Sequence, residues 1–201
     1  STTVQSIVLR GATLYAGGDF LSIGGQSRSR VAAIAVATGL ATSWDPTAYG
    51  TVSVVAVDGP DVFVGGLFNA VGGVRRDNLA AFDVTTGQPT AWNPDANNAV
   101  LALSLKHGVV YAGGSFTLMG GQIRNSVAAL DTTLGIASGW NPGTNGSVSA
   151  LAVEGNTVYV GGLFSAVGGA LRSNLAAVDA GTGLVASWDP AADDQIFDIA
   201  P

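Results

Sequence analysis

The feature that most constrains this chain is a repeat with a step of 48 residues and no insertions. The stretch from Leu151 to Arg172 reads LAVEGNTVYVGGLFSAVGGALR, and its anchors recur three times upstream. Gly161-Gly162 matches Gly113-Gly114, Gly65-Gly66 and Gly17-Gly18. Phe164 matches Phe116, Phe68 and Phe20, and Arg172 matches Arg124, Arg76 and Arg28. A W-x-P element keeps the same step, with Trp44, Trp92, Trp140 and Trp188 each two residues before Pro46, Pro94, Pro142 and Pro190. Self-similarity at this spacing marks an array in which each unit buries its apolar face on its neighbour.

Each unit reads as four short strands. In the third copy the near-continuous apolar run Val100 to Leu105 fits a strand covered on both faces. His107-Gly108 makes a tight turn, with Gly11, Gly59 and Gly155 at the matching place in the other copies. Val109 to Phe116 forms the second strand. A longer connection follows to Arg124, then a third strand from Ser126 to Asp131 and a fourth ending at Trp140. No segment has the i, i+3, i+4, i+7 spacing of an amphipathic helix, and the glycine pairs argue against a helical solenoid. Four antiparallel strands in this length are the content of one β-propeller blade. The chain is therefore predicted to be all-β, a single propeller array of four four-stranded blades over about 4–51, 52–99, 100–147 and 148–195, with 196–201 starting a fifth copy. The first strand is expected nearest the axis and the tryptophan strand outermost, with each tryptophan wedged between blades and its N–H on a backbone carbonyl.

A longer period is nested in the array. Copies one and three share YAGG and GGQ, and copies two and four share VGGLF, AVGG and NLAA, which gives a duplicated pair. Open ends of a repeat array leave bare apolar faces and strand edges. Either the chain is a segment of a longer propeller, or two chains associate into an eight-bladed homodimeric ring, in which Ile196 to Ala200 would compete with a partner's first strand for one position.

The pattern V-x-x-G-x-x-V-Y-V-G-G-x-F-x-x-V-G-G-x-x-R resembles the delta-60 repeat of bacterial β-propeller proteins, over almost the whole chain. That resemblance implies a propeller of undefined activity, often within large exported proteins, and hence an extracellular or cell-surface location. The run from Ala81 through Asp83, Thr86 and Gly87 to Trp92 is similar to the tryptophan-docking motif of eight-bladed quinoprotein dehydrogenases, and Ala177 to Trp188 repeats it. Copy one has Ala35 in place of the Asp and copy three has Leu134 in place of the Thr, with one residue more between Gly and Trp than that motif has. There the motif docks blades, so the resemblance implies architecture and not quinone chemistry.

Candidate ligand-binding residues are Arg28, Arg76, Arg124 and Arg172 with Asn78 and Asn174, all on the connection between second and third strands. One reading makes them a ring of equivalent pockets for a polar ligand such as a sugar, together with Asp45, Asn93, Asn141 or Asp189. The other has each Arg bonding loop carbonyls or an Asp of an adjacent blade, as expected of a residue needed in every blade. His107 reads as a turn residue. Asp193, Asp194 and Asp198 lack the spacing of a calcium loop and read as a solvated linker.

The chain has no cysteine, and no nucleophile triad, metal motif or phosphate loop is present, so no catalytic residue, metal or cofactor is assigned. Eight basic against fourteen acidic residues give a net charge of −6 without a basic cluster, which disfavours nucleic acid, and no apolar run is long enough to insert in a membrane. The expected function is a non-catalytic binding or structural module with a carbohydrate or protein ligand. The alternatives are a multivalent lectin, and a fragment of a propeller enzyme whose site lies elsewhere.

Overall fold

The computed structural model describes residues 2–200. The described residues are all-β, with no helix. Two compact units divide the chain, the first ending at Asn93 and the second starting at Pro94.

The first unit holds two large antiparallel sheets and a two-stranded hairpin. Val4–Arg10, Thr13–Gly18 and Val31–Ala35 form one, and Ala48–Asp58, Asp61–Val71 and Leu79–Asp83 form the other, with Val74–Arg75 paired at its edge. The second unit repeats the plan. Val100–Lys106, Val109–Gly114 and Val127–Asp131 make one sheet, and Ser147–Glu154, Thr157–Leu163 and Leu175–Asp179 make the next. In each of these four sheets the second long strand in sequence lies between the first and the third.

The turns follow from residue type. Two residues join the first and second strands of each repeat, and the first of them (Gly11, Gly59, His107 or Gly155) has positive φ. Tight hairpins demand that conformation to match strand twist. The second glycine pair of each repeat, for example Gly24-Gly25, turns a short hairpin between the second and third strands.

The Gly-Gly pair closing each second strand works by close approach. A Cβ on Gly17 would strike the side chains of Val52 and Val55 from the following repeat, and one on Gly113 would strike Val148. A Cβ on the second glycine, Gly18 or Gly114, would run into the backbone carbonyl of Thr3 or Ala99. A bulge follows that carbonyl in all four first strands, between Val4 and Ser6, Val52 and Val54, Val100 and Ala102, and Val148 and Ala150. One glycine thus admits side chains of the neighbouring repeat, and the other admits the backbone of its own first strand.

The expected fourth strand is reduced. After the turn that follows each third strand, pairing is confined to one bridge: Ile34 with Ala41, Phe82 with Pro89, Leu130 with Ala137 and Val178 with Val185. Two backbone hydrogen bonds flank it, as from Ala35 N to Leu40 O and from Thr42 N to Ala33 O. The guanidinium of the repeat's arginine takes the next carbonyl, as Arg28 takes Thr42 O. Tryptophan and proline then carry the chain away, and proline offers no N–H to a ladder.

Within each unit the core lies between its two sheets. In the first, Tyr15, Val31, Ala33 and Trp44 meet Val52, Val55, Val62, Val64 and Phe82. In the second, Tyr111, Val127 and Trp140 meet Val148, Leu151, Val158, Val160 and Val178. Trp44 donates its indole N–H to Asp83 O at 3.0 Å, and Trp140 donates to Asp179 O at 2.9 Å. Each ring also meets an aromatic of its own repeat edge-on, Tyr15 at 5.2 Å and Tyr111 at 5.3 Å between centroids. Trp92 is buried and stands edge-on to Phe63.

Candidate functional site

The four arginines occupy one geometry. In each, Nη1 donates to the carbonyl of the preceding residue: Ser27, Arg75, Ile123 and Leu171. Nη2 donates to a carbonyl fourteen residues on: Thr42, Thr90, Ser138 and Ala186. The guanidinium therefore pins the outermost segment to the loop before the third strand. A planar fork that stays charged suits this task better than an ammonium. Nε is buried without a protein acceptor in all four. Arg28 also approaches Asp45 at 3.4 Å and Arg172 approaches Asp189 at 3.6 Å. Asn93 and Asn141 hold those places in the other repeats.

Asn78 and Asn174 have φ of 64° and 63°, as do Arg30 and Ser126 at matching positions with 67° and 62°. Asparagine tolerates this left-handed region better than most residues. The side-chain oxygens of Asn78 and Asn174 accept the N–H of Phe68 and Phe164. Asn174 also donates to Ala192 O. Arg30 donates instead to Asp19 and to Ala48 O.

His107 stands in its turn with φ of 50°. Asp194 accepts the N–H of Gln195. Among the described residues no three His, Cys, Asp or Glu side chains gather as a metal set.

A different locus emerges where the repeat is broken. At the position of Tyr49 the later copies carry Asn97, Asn145 and Asp193. Asn97 clamps its loop by donating to Thr117 Oγ1 and accepting the N–H of Thr117 and Leu118. Asn145 does the same with Ser165 and Ala166. A tyrosine cannot make this clamp. In the second repeat the strand ladder runs on in its place, pairing Gly50 with Phe68 and Ala48 with Val71. The Tyr49 ring is released, and the residue is 56% exposed. It lines a cavity of about 270 Å³ with Asp45, Gln88 and the hairpin glycines Gly72 and Gly73. Gln88 also breaks the repeat, since Leu40, Ile136 and Leu184 hold its place elsewhere. Tyr49 and Gln88 carry none of the recurring pattern. The signal lies in their departure from the other copies.

A second locus is marked by unusual exposure in the first and last repeats. Ile7 is 61% exposed, whereas its counterparts Val55 and Leu151 are 5% and 8% exposed against the preceding repeat. Val4 and Leu9 are exposed beside it. Trp188 is 45% exposed, against 5% for Trp44 and 4% for Trp140. Close to the last sheet, Ile196 and Ile199 pack over Gly161 as Val52 and Val55 pack over Gly17.

No family model matches the chain, and no curated protein matches it. Solved structures do. The computationally designed Ika4 protein is similar at a TM-score of 0.59 and 14% identity, over 90% of this chain and 92% of that one. The computationally designed Ika8 protein gives 0.53 and 12%, over 97% of this chain and 64% of that one. A chain of the Mitotic Checkpoint Complex gives 0.70 and 16%, over 98% of this chain and 53% of that one. The chain thus spans just over half of that last structure and under two thirds of Ika8. At these identities the likeness speaks to fold alone, a β-rich, propeller-like arrangement.

Proposed function

We propose that the chain is a non-catalytic β-propeller module, a binding and structural unit of four blades that completes itself by head-to-tail association with a second copy into an eight-bladed ring. One observation carries this reading: the first and last blades expose the residues that interior junctions bury. Val4, Ile7 and Leu9 lie open where Val52 and Val55 are covered, and Trp188 lies open where Trp44 and Trp140 are covered. The junction between the first two blades supplies the template. Trp188 would enter the partner as Trp44 enters the second blade, with its indole N–H on the carbonyl at the place of Asp83, which in the first blade is Ala35. Two identical junctions related by a two-fold axis cover both faces at once. Membership among delta-60 repeats, read from the spacing of the glycine pairs, Phe and Arg and part of this proposal, would fit a module of undefined activity.

Sedimentation equilibrium tests the assembly. Twice the chain mass of 20.0 kDa is expected at micromolar concentration, and Ile7→Asp is expected to leave a monomer. A chain that stays monomeric throughout that range overturns the ring.

A further inference from the structure

We infer that the cavity lined by Tyr49, Asp45 and Gln88 is a single carbohydrate site that accepts one pyranose ring. The cavity belongs to the first two repeats, and the W-x-P loop of one and the hairpin of the other build it together. Its two distinguishing side chains are the ones that depart from the repeat. The interior junction of the second unit carries Asn141, Asn145 and Leu184 at the matching positions, and there Asn145 is spent on its own loop. A residue required by the blade recurs in each blade. Tyr49 and Gln88 occur once, and both border the same cavity.

The chemistry of the lining selects the ligand class. An exposed aromatic ring offers a flat apolar face with a polar tip, and the C–H face of a sugar stacks on such a surface. Asp45 supplies acceptors and Gln88 both a donor pair and an acceptor, the set that neighbouring hydroxyls require. Arg28 holds the Asp45 carboxylate through Oδ2 and thereby fixes its direction. Thr47 O accepts the N–H of Gly72 at 2.9 Å, which ties the loop to the hairpin and holds the cavity's two sides together. Pockets for small molecules run to roughly 300–1,000 Å³, and a cavity of about 270 Å³, just under the small end of that range, suits a single sugar ring and not a longer chain. An anion finds no cation in the lining, and Arg28, which stands behind Asp45, is engaged with two carbonyls and that carboxylate. A quaternary ammonium calls for a cage of several aromatic rings, and the lining has one.

Titration of the full chain by NMR tests the site, with methyl β-D-glucopyranoside, methyl α-D-mannopyranoside and methyl β-D-galactopyranoside as probes, each to about 10 mM, a range that reads millimolar affinities. Choline chloride serves as the cationic control. At least one glycoside is expected to shift the Tyr49 ring resonances and leave the Trp140 indole unmoved. The double variant Tyr49→Asn with Gln88→Leu restores the side chains of other repeats and is expected to weaken that binding at least tenfold, about 1.4 kcal/mol. Tyr49→Phe, which keeps the stacking face, is expected to stay within about threefold. Absence of any glycoside shift at Tyr49, binding that survives the double variant, or a response to choline alone overturns the assignment.

Discussion

Trp140 and Trp188 have the same place in the repeat and opposite surroundings. Trp140 is buried against the following sheet, with its N–H on Asp179 O and its ring edge-on to Tyr111. Trp188 keeps the edge contact, with Tyr159 at 5.6 Å, but stays half exposed. Trp140→Ala is therefore expected to cost about 3–5 kcal/mol of unfolding free energy, the range for removing a buried large aromatic. Trp188→Ala in the monomer is expected to cost below about 1 kcal/mol, as for a surface change. Urea denaturation at submicromolar concentration measures both, and equal losses would contradict the placement of these rings. The tryptophan positions and their wedging between copies were legible from the fixed step of W-x-P, because a large aromatic required in every copy has to fill a space between copies, whereas the particular carbonyls that Trp44 and Trp140 meet came only with the fold. The arginines were legible as candidates, but their direction was not. Only the fold brings Arg124 to Ser138 O, since the chain must double back through a third strand and a turn to do so.

At the scale of elements, the turn after the third strand shows how a short motif replaces a strand. The Asp83 carboxylate accepts the N–H of Thr85 and Thr86 and the Thr86 hydroxyl, and Asp179 repeats this with Gly181 and Thr182. The N–H and hydroxyl of Thr86 hold the Asp83 carboxyl below its ordinary range, and the hydroxyl and N–H of Thr182 do so for Asp179. At Asp131 partial burial opposes the shift, but N–H groups of Leu134, Ile136 and Thr133 outweigh it. Groups whose folded pKa is lowered add stability that is complete above the unfolded value of about 3.9 and is lost as pH falls through the folded value. Asp61 works in the opposite sense, since burial and the nearby Asp83 and Asp58 raise it. The urea midpoint is expected to drop as pH goes from about 5 to about 3. The pair of changes Asp83→Asn and Asp179→Asn is expected to flatten that drop, and an unchanged slope would remove these turns from the account. The Asp-x-x-Thr-Gly motif was readable in the sequence, whereas the shrinking of the fourth strand was not. Strand propensity there is ordinary, and it is the capture of the next carbonyl by arginine that ends the ladder after a single bridge.

For the whole molecule, the decisive competition is over Gly161. A glycine at this place in a repeat exists to receive two side chains of the next first strand, as Gly17 receives Val52 and Val55. Over Gly161 those two are Ile196 and Ile199 of the same chain, held by the bond from Ile196 N to Gly162 O and by Gln195 on Ser149. In the proposed ring a partner's Val4 and Ile7 need that position, so the segment from Gln195 onward has to leave it. Binding that must first displace an internal competitor is weakened by the fraction of chains in which the site is free. A chain ending at Ala192 is accordingly expected to dimerise at lower concentration than the full chain, with the midpoint moved at least threefold, about 0.65 kcal/mol. Ile7→Asp in the shortened chain is expected to abolish the gain, which ties it to the first strand and separates it from nonspecific association of bared apolar surface. Sedimentation equilibrium on all three proteins decides the matter. If shortening weakens the dimer, Ile196 and Ile199 are part of the junction and not its competitor, and the partner's first strand docks elsewhere.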